Sequence, residues 1–225
     1  MTKKYRFEIV GKMPLLMHSD NVEFADEMKA WRMDPKNKPK SISGDDRSPA
    51  HTWLGCVYHD DKRIVIPAEN IMKALMEGGA SVRTGKGQAT YKSQTQSGMV
   101  CESDKMPLLI DGKEIPIQPI LKALDKEREP LFAEHKKYVA ALGFDLMVKR
   151  ATIGNSKHVR VRPRFNPGWS VVGTLLVWDD MLTKDVLTTI FEVAGSSKGI
   201  GDWRPSSPKK PGPHGTFDAK IGEVK

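Results

Sequence analysis

The first chemical signal in the chain is a regular alternation of cations. Lys157 to Phe165 reads KHVRVRPRF. Strand side chains alternate between faces, so His158, Arg160, Arg162 and Arg164 share one side and Val159, Val161 and Phe165 the other. Lys149 and Arg150 lie just upstream, and no acidic residue occurs from Leu146 through Trp178. Like charges in a row repel one another unless an anion meets them, and a merely solvated face mixes signs. The pattern points to a polyanion partner.

Two further tracts carry the same chemistry in looser form. Gly78 to Cys101 is also free of acids and sets Arg83, Lys86, Tyr91 and Lys92 among Gln, Thr and Ser. It reads either as a flexible basic segment that orders on a nucleic-acid backbone or as an ordinary disordered loop. Near the C-terminus, KGIGDWRPSSPKKPGPHGTFDA supplies Lys198, Arg204, Lys209 and Lys210, with glycines that admit close backbone approach. Trp203 in this tract is either a stacking plane for a base or a packing anchor for the loop. Cations mixed with an aromatic suit single strands better than the base-edge readout of duplex DNA.

Other chemistries lack their motifs. Gly79–Lys86 superficially resembles a phosphate-binding loop, but it has one residue too many between its glycines, lacks Ser or Thr after the lysine, and follows a helix. Gly199-Ile-Gly201-Asp-Trp-Arg204 is not a dinucleotide fingerprint. His18-x-Asp20, His51 and His59-Asp60-Asp61 have no recognised ligand spacing. No nucleophile signature is present either. No metal site and no cofactor is expected.

Composition sets the frame for these residues. The chain has 225 residues with 39% hydrophobic and 28% charged, a modest core carrying long polar excursions. Its formal net charge of +8 favours anionic partners, nucleic acid or an anionic membrane surface. Two separated cysteines, Cys56 and Cys101, exclude a disulfide framework and fit a reducing compartment. The charged start MTKKYRFEIV has no signal-peptide core, and no apolar run reaches the ~18 residues of a membrane span. A soluble, cytoplasmic protein is expected.

The elements that must position the cations follow from periodicity. KKYRFEIVG over 3–11 alternates as a half-buried strand, with Tyr5, Phe7 and Ile9 on one face. Residues 21–50 read as a short helix followed by a loop. Arg63–Ile66 is a short strand; 67–77 is a helix with Ile71, Met72 and Leu75 along one stripe, ended or loosened by Gly78-Gly79. An Asp111-Gly112 turn makes a hairpin within 105–118. Residues 120–142 are helical, in one piece or split at Pro130. Strands 157–165 and 169–178 pair as a hairpin across Asn166-Pro-Gly168. Thr183 caps a helix through Val193, and 216–221 is the last strand. Without the insertions the order is βαββαβ, an α+β, ferredoxin-like (RRM-like) antiparallel sheet backed by two helices.

On these segments the chain resembles the RAMP superfamily, the repeat-associated mysterious proteins, especially the backbone subunits of CRISPR effector complexes. KYRFEIVGKMPLLM is similar to the family's first strand, IPAENIMKALMEGGA to its first helix, and AGSSKGIGDWRPSSPKKPGPHGTFDA to its glycine-rich loop. PLLMHSD, WLGCVY, IPAENI and GIGDWRP together look like small phage-encoded members. The resemblance covers both ends and the core strands, not the 83–145 segment. It implies one domain over 1–225 with insertions at about 20–62 and 83–145 acting as finger and thumb. It also implies single-stranded RNA or DNA on the sheet face, and subunits stacked into a helical filament. Some relatives cut RNA with an aspartate after the first strand; Asp20 and Asp26 are nearest to that place here.

The expected function is therefore sequence-nonspecific binding of single-stranded RNA or DNA. The candidate contacts are Arg83, Lys86, Lys92, Lys149, Arg150, His158, Arg160, Arg162, Arg164, Lys198, Trp203 and Arg204. A bacterial or phage-infected host cytoplasm is the expected setting. A metal-dependent endoribonuclease and a scaffold for an acidic protein partner are the rival expectations.

Overall fold

The computed structural model describes residues 2–124, 131–153 and 155–224. In chain order the elements are β1 (Lys3–Gly11), β2 (Leu15–Leu16), α1 (Val22–Met33), β3 (Val65–Pro67), α2 (Ala68–Gly79) and α3 (Lys92–Ser97). Four short strands follow: β4 (Met99–Cys101), β5 (Lys105–Pro107), β6 (Leu109–Ile110) and β7 (Lys113–Glu114). Then come α4 (Ile117–Ala123), α5 (Phe132–Ala141), β8 (Phe144–Ile153), β9 (Ser156–Phe165), β10 (Ser170–Val177), α6 (Lys184–Val193) and β11 (Phe217–Val224). The fold is α+β with antiparallel sheets. No described helix is long and apolar enough to cross a membrane.

The chain divides into two compact units. The first comprises Met1–Leu15, Ile64–Ile115 and Asn166–Lys225, the second Leu16–Arg63 and Pro116–Phe165. The segments expected as insertions thus behave differently. Residues 16–63 and 116–165 build a unit together, whereas 83–115 belongs with the first.

The first unit is organised on the strand order β11–β1–β10, with β4 on the far edge of β10. Alternation in β1 buries Tyr5, Phe7 and Ile9 and leaves their neighbours exposed. Phe7 meets Phe191 of α6 at 5.4 Å between ring centroids. Thr183 caps α6, its hydroxyl accepting from the Val186 amide, and Leu187, Ile190 and Phe191 face the core. Helix α2 starts just after Pro67, buries Ile71 and Leu75, and runs on through Gly78 and Gly79. There the glycines permit contact: a Cβ at Gly78 would lie 2.8 Å from the Ile190 carbonyl oxygen of α6. The expected Asp111-Gly112 turn is present, both residues at positive φ, joining β6 to β7. The tract 78–101 folds into a turn closed by Thr84 and Ala89, then α3, then β4.

The second unit is built on the β8–β9 ribbon, paired over ten positions from Phe144↔Phe165 to Ile153↔Ser156. Phe144 stacks on Phe165 at 4.9 Å, and both rings are fully buried. Trp53, from the 3₁₀ segment Ala50–Cys56, donates its indole N–H to His135 Nδ1 of α5 at 3.0 Å. This bond satisfies two polar atoms inside an apolar core.

The pairing of strands corrects the expected hairpin. Residues 157–165 do not pair with 169–178; β9 pairs with β8, and β10 lies between β1 and β4. The reason lies in edges: β10 has both of its edges occupied within its own sheet, and Phe144 and Leu146 complete the apolar face that Val161 and Phe165 begin. The Asn166–Gly168 turn is there, with Gly168 at φ 95, but it links strands of different sheets. The expected split at Pro130 lies outside the described residues; α4 and α5 flank it.

Candidate functional site

The cationic strand β9 keeps the alternation read from its sequence. Val161, Pro163 and Phe165 are buried, while His158, Arg160, Arg162 and Arg164 are half-buried on the opposite face. Across the ribbon, Lys149 stands opposite Arg160 and Asp145 opposite Arg164. Lys149, Arg150 and Lys157 are exposed. The strand is not a bare ladder, however. Asp46 donates a carboxylate to it from a distant part of the chain: Oδ1 accepts from Arg160 Nη1 at 2.9 Å, and Oδ2 lies 3.5 Å from Arg162 Nη1. Oδ2 also accepts from the Val161 amide at 3.2 Å. The Asp46 side chain is 9% exposed, against 35% for Arg160 and 14% for Arg162. The anion that the repelling row demands is therefore supplied in part by the protein itself.

Asp46 is held by backbone pairing. Its amide donates to the Val159 carbonyl at 3.0 Å, and the Val159 amide donates to the Gly44 carbonyl at 2.7 Å, so Gly44–Asp46 runs beside β9. Gly44 has φ 75 and lies against the His158 ring, a position that a side chain would fill. Next in the chain, the Arg47 guanidinium hydrogen-bonds Asp45 and holds its carboxyl below the usual range, more than offsetting partial burial.

The face opens onto a cleft of about 600 Å³ lined by His18, Asp20, Asn21, Phe24, Met28, Arg32, Asp46, Cys56, Arg160 and Arg162. Arg162 closes one side, donating through Nη1 to the Val161 carbonyl at 2.9 Å and through Nη2 to His18 Nε2 at 3.3 Å. A guanidinium only donates, so that imidazole nitrogen is the acceptor. Asn21 caps α1, its side chain accepting from the Phe24 amide at 2.9 Å, and the helix lines the cleft through Phe24, Met28 and Arg32. Asp20 lines this cleft; Asp26, on the exposed side of α1, does not. Among the described residues no group of three or more His, Cys, Asp or Glu side chains is placed to share a metal ion.

The glycine-rich loop of the first unit is tightly self-bonded. Trp203 has φ 48 and stacks on His214 at 5.0 Å with the planes 27° apart. Its carbonyl accepts from the His214 amide, and its own amide donates to Asp202 Oδ1 at 2.8 Å. Gly212 lies directly against the indole, where a Cβ would collide with it. Arg204 is tied to Ser206 Oγ at 2.9 Å, to the Gly201 carbonyl at 3.2 Å and to Glu77 of α2 at 3.5 Å. These contacts pack Trp203 within its own loop.

The candidate residues thus form two sets. Lys149, Arg150, His158, Arg160, Arg162 and Arg164 come together on the β8–β9 ribbon of the second unit. Arg83, Lys86, Lys92, Lys198, Trp203 and Arg204 lie in the first, Lys86 and Lys92 exposed on the 83–97 segment. The cationic strand β9 is not a strand of the sheet that ends in β11, which follows the glycine-rich loop. Asp46, Arg32 and His18 were not singled out as cleft residues by sequence. Asp46 sits in GDDRSP, between Asp45 and Arg47, and nothing local distinguishes it from a turn aspartate. No family model matches the chain, and no curated protein matches its sequence.

Proposed function

We propose that the protein binds single-stranded nucleic acid, RNA or DNA, by its phosphate backbone along the β8–β9 face. The observation that carries this reading is the charge of that ribbon. Residues 144–165 hold six Lys and Arg and one acid, Asp145. Asp145 lies 3.5 Å from Lys136, and Asp46 counters only part of the arginine charge. A surplus on a half-exposed, open face is the footprint of phosphate contacts, which supply affinity without sequence specificity. Phe24 and His18 in the adjoining cleft offer planes for unstacked bases.

The first unit is read as a ferredoxin-like domain of RAMP type. Support comes from the sheet order β11–β1–β10–β4, all antiparallel, with α2 between β1 and β4 and α6 between β10 and β11. Under the same reading, copies stack along a strand. Electron microscopy with a long single strand then shows filaments that are missing without it.

Fluorescence anisotropy with a labelled single-stranded oligonucleotide tests the binding. About four phosphate contacts give a slope of about −3 for log K against log salt. Affinity unchanged from about 50 to about 300 mM salt overturns the reading. Asp20 in the cleft makes RNA cleavage the second reading; labelled RNA left intact with Mg²⁺ dismisses it.

A further inference from the structure

We infer that Arg160 and Arg162 form the seat of one backbone phosphate, and that Asp46 occupies this seat in the unliganded protein as an internal competitor. The inference rests on the nucleic-acid-binding reading above and assigns one group of the strand to named side chains.

Three observations carry it. The first is the donor set. Two guanidinium groups and one backbone N–H converge on the two oxygens of Asp46, with hydrogen bonds of 2.9 Å from Arg160 and 3.2 Å from Val161. The same fork suits two oxygens of a phosphodiester. The second is access. Arg160 keeps about a third of its side chain exposed (35%) and lines the open cleft, so an outside anion reaches it without entering the core. The third is the way Asp46 is delivered. It arrives on a short strap, Gly44–Asp46, held to β9 through the Val159 backbone and lying outside any helix or extended strand of its own. A carboxylate swings away from the arginines by a side-chain rotation, leaving those backbone bonds in place.

Asp46 as competitor and Asp46 as a brace that orients the arginines for a ligand predict opposite signs. Replacing the carboxylate by its neutral isostere removes one negative charge a few ångströms from the incoming phosphate. With the screening of bulk water in the open, solvated cleft, this strengthens binding about tenfold.

The experiment measures anisotropy of a labelled single-stranded oligonucleotide with full-length wild type, Asp46→Asn, Asp46→Glu and Glu23→Gln. Glu23 is exposed in the first turn of α1 and serves as a charge-matched control. The expected result is a gain of about tenfold for Asp46→Asn, larger at low salt, with Asp46→Glu and Glu23→Gln near wild type. Unchanged or weakened binding by a folded Asp46→Asn overturns the inference, as does an equal gain in Glu23→Gln. If Asp46→Asn lacks a cooperative melt, Arg160→Gln is read instead. Loss of the seat lowers its salt slope by about 0.7, and an unchanged slope overturns the inference. Salt-dependent binding by wild type with no gain in Asp46→Asn sinks the inference alone. Absence of binding by both proteins sinks the broader reading with it.

Discussion

Trp203→Leu separates a loop anchor from a base-stacking platform. In the structure the indole packs on His214 and Gly212, and the residue is held at φ 48, a conformation that costs a non-glycine residue about 1–3 kcal/mol unless its surroundings enforce it. Leucine keeps the backbone cost and removes the enforcing contacts. Loss of the ring pair costs about 1 kcal/mol. The smaller apolar area in a half-buried site costs about 1 kcal/mol more. Together they amount to roughly 2 kcal/mol, which for a chain of this size lowers Tm by about 4–8 °C. The assay is a circular-dichroism melt paired with oligonucleotide anisotropy at one salt concentration. An anchor gives a lower Tm and a change in affinity of less than about threefold at temperatures where the variant is folded. An unchanged melt with affinity lost by tenfold or more would refute the reasoning and make Trp203 a stacking platform.

Two further substitutions or treatments test the packing. In Gly11→Ala the new methyl falls inside the Trp169 indole, whose N–H donates to the Met13 carbonyl at 2.9 Å; a loss of about 1–3 kcal/mol is expected in denaturant titration, and a wild-type midpoint contradicts it. Burial pushes the Cys101 thiol up to about 12, so it holds almost no thiolate at mildly alkaline pH, whereas Cys56 is only half-buried. Ellman's reagent at about pH 8 then reacts quickly with one thiol in the native protein and with both in guanidinium; two fast thiols in the native state contradict the burial.

Local pattern made part of this fold readable. Alternation in 3–11 gave β1 its buried face, the stripe Ile71–Leu75 gave α2, and Thr183 marked the start of α6, because each depends on neighbours within a few residues. Strand pairing was less readable. KHVRVRPRF and WSVVGTLLVW are separated by a good turn, yet each closes a different apolar surface: Phe165 needs Phe144, and Val171 and Leu175 need the β1 side chains. β8 carries no clear strand signal, because FDLMVKRATI is apolar at its start and cationic further on, which blurs a period of two. Trp203 could be read both ways from composition, and its stacking partner His214 is brought to it only by the folding of the loop.

The same limit governs the charge argument, and there it changes the chemistry. An acid-free stretch of sequence is not an acid-free surface: Arg160 and Asp46 are 114 residues apart and meet at 2.9 Å. Breaking a partly buried ion pair leaves charges without compensation, so the Asp46 contact contributes to the stability of the second unit. On the proposed reading, a phosphate entering the same seat restores compensation to the arginines as Asp46 turns away from them. On that reading binding at this position is an exchange of one anion for another, and its strength depends on the difference between them. Lys149, Arg150 and Lys157 are exposed on the ribbon, and on the proposed reading they supply the long-range attraction. On the same reading salt weakens the arginine seat as well as the approach through the exposed lysines and Arg150, and Asp46 sets how firmly the strand is held once it arrives.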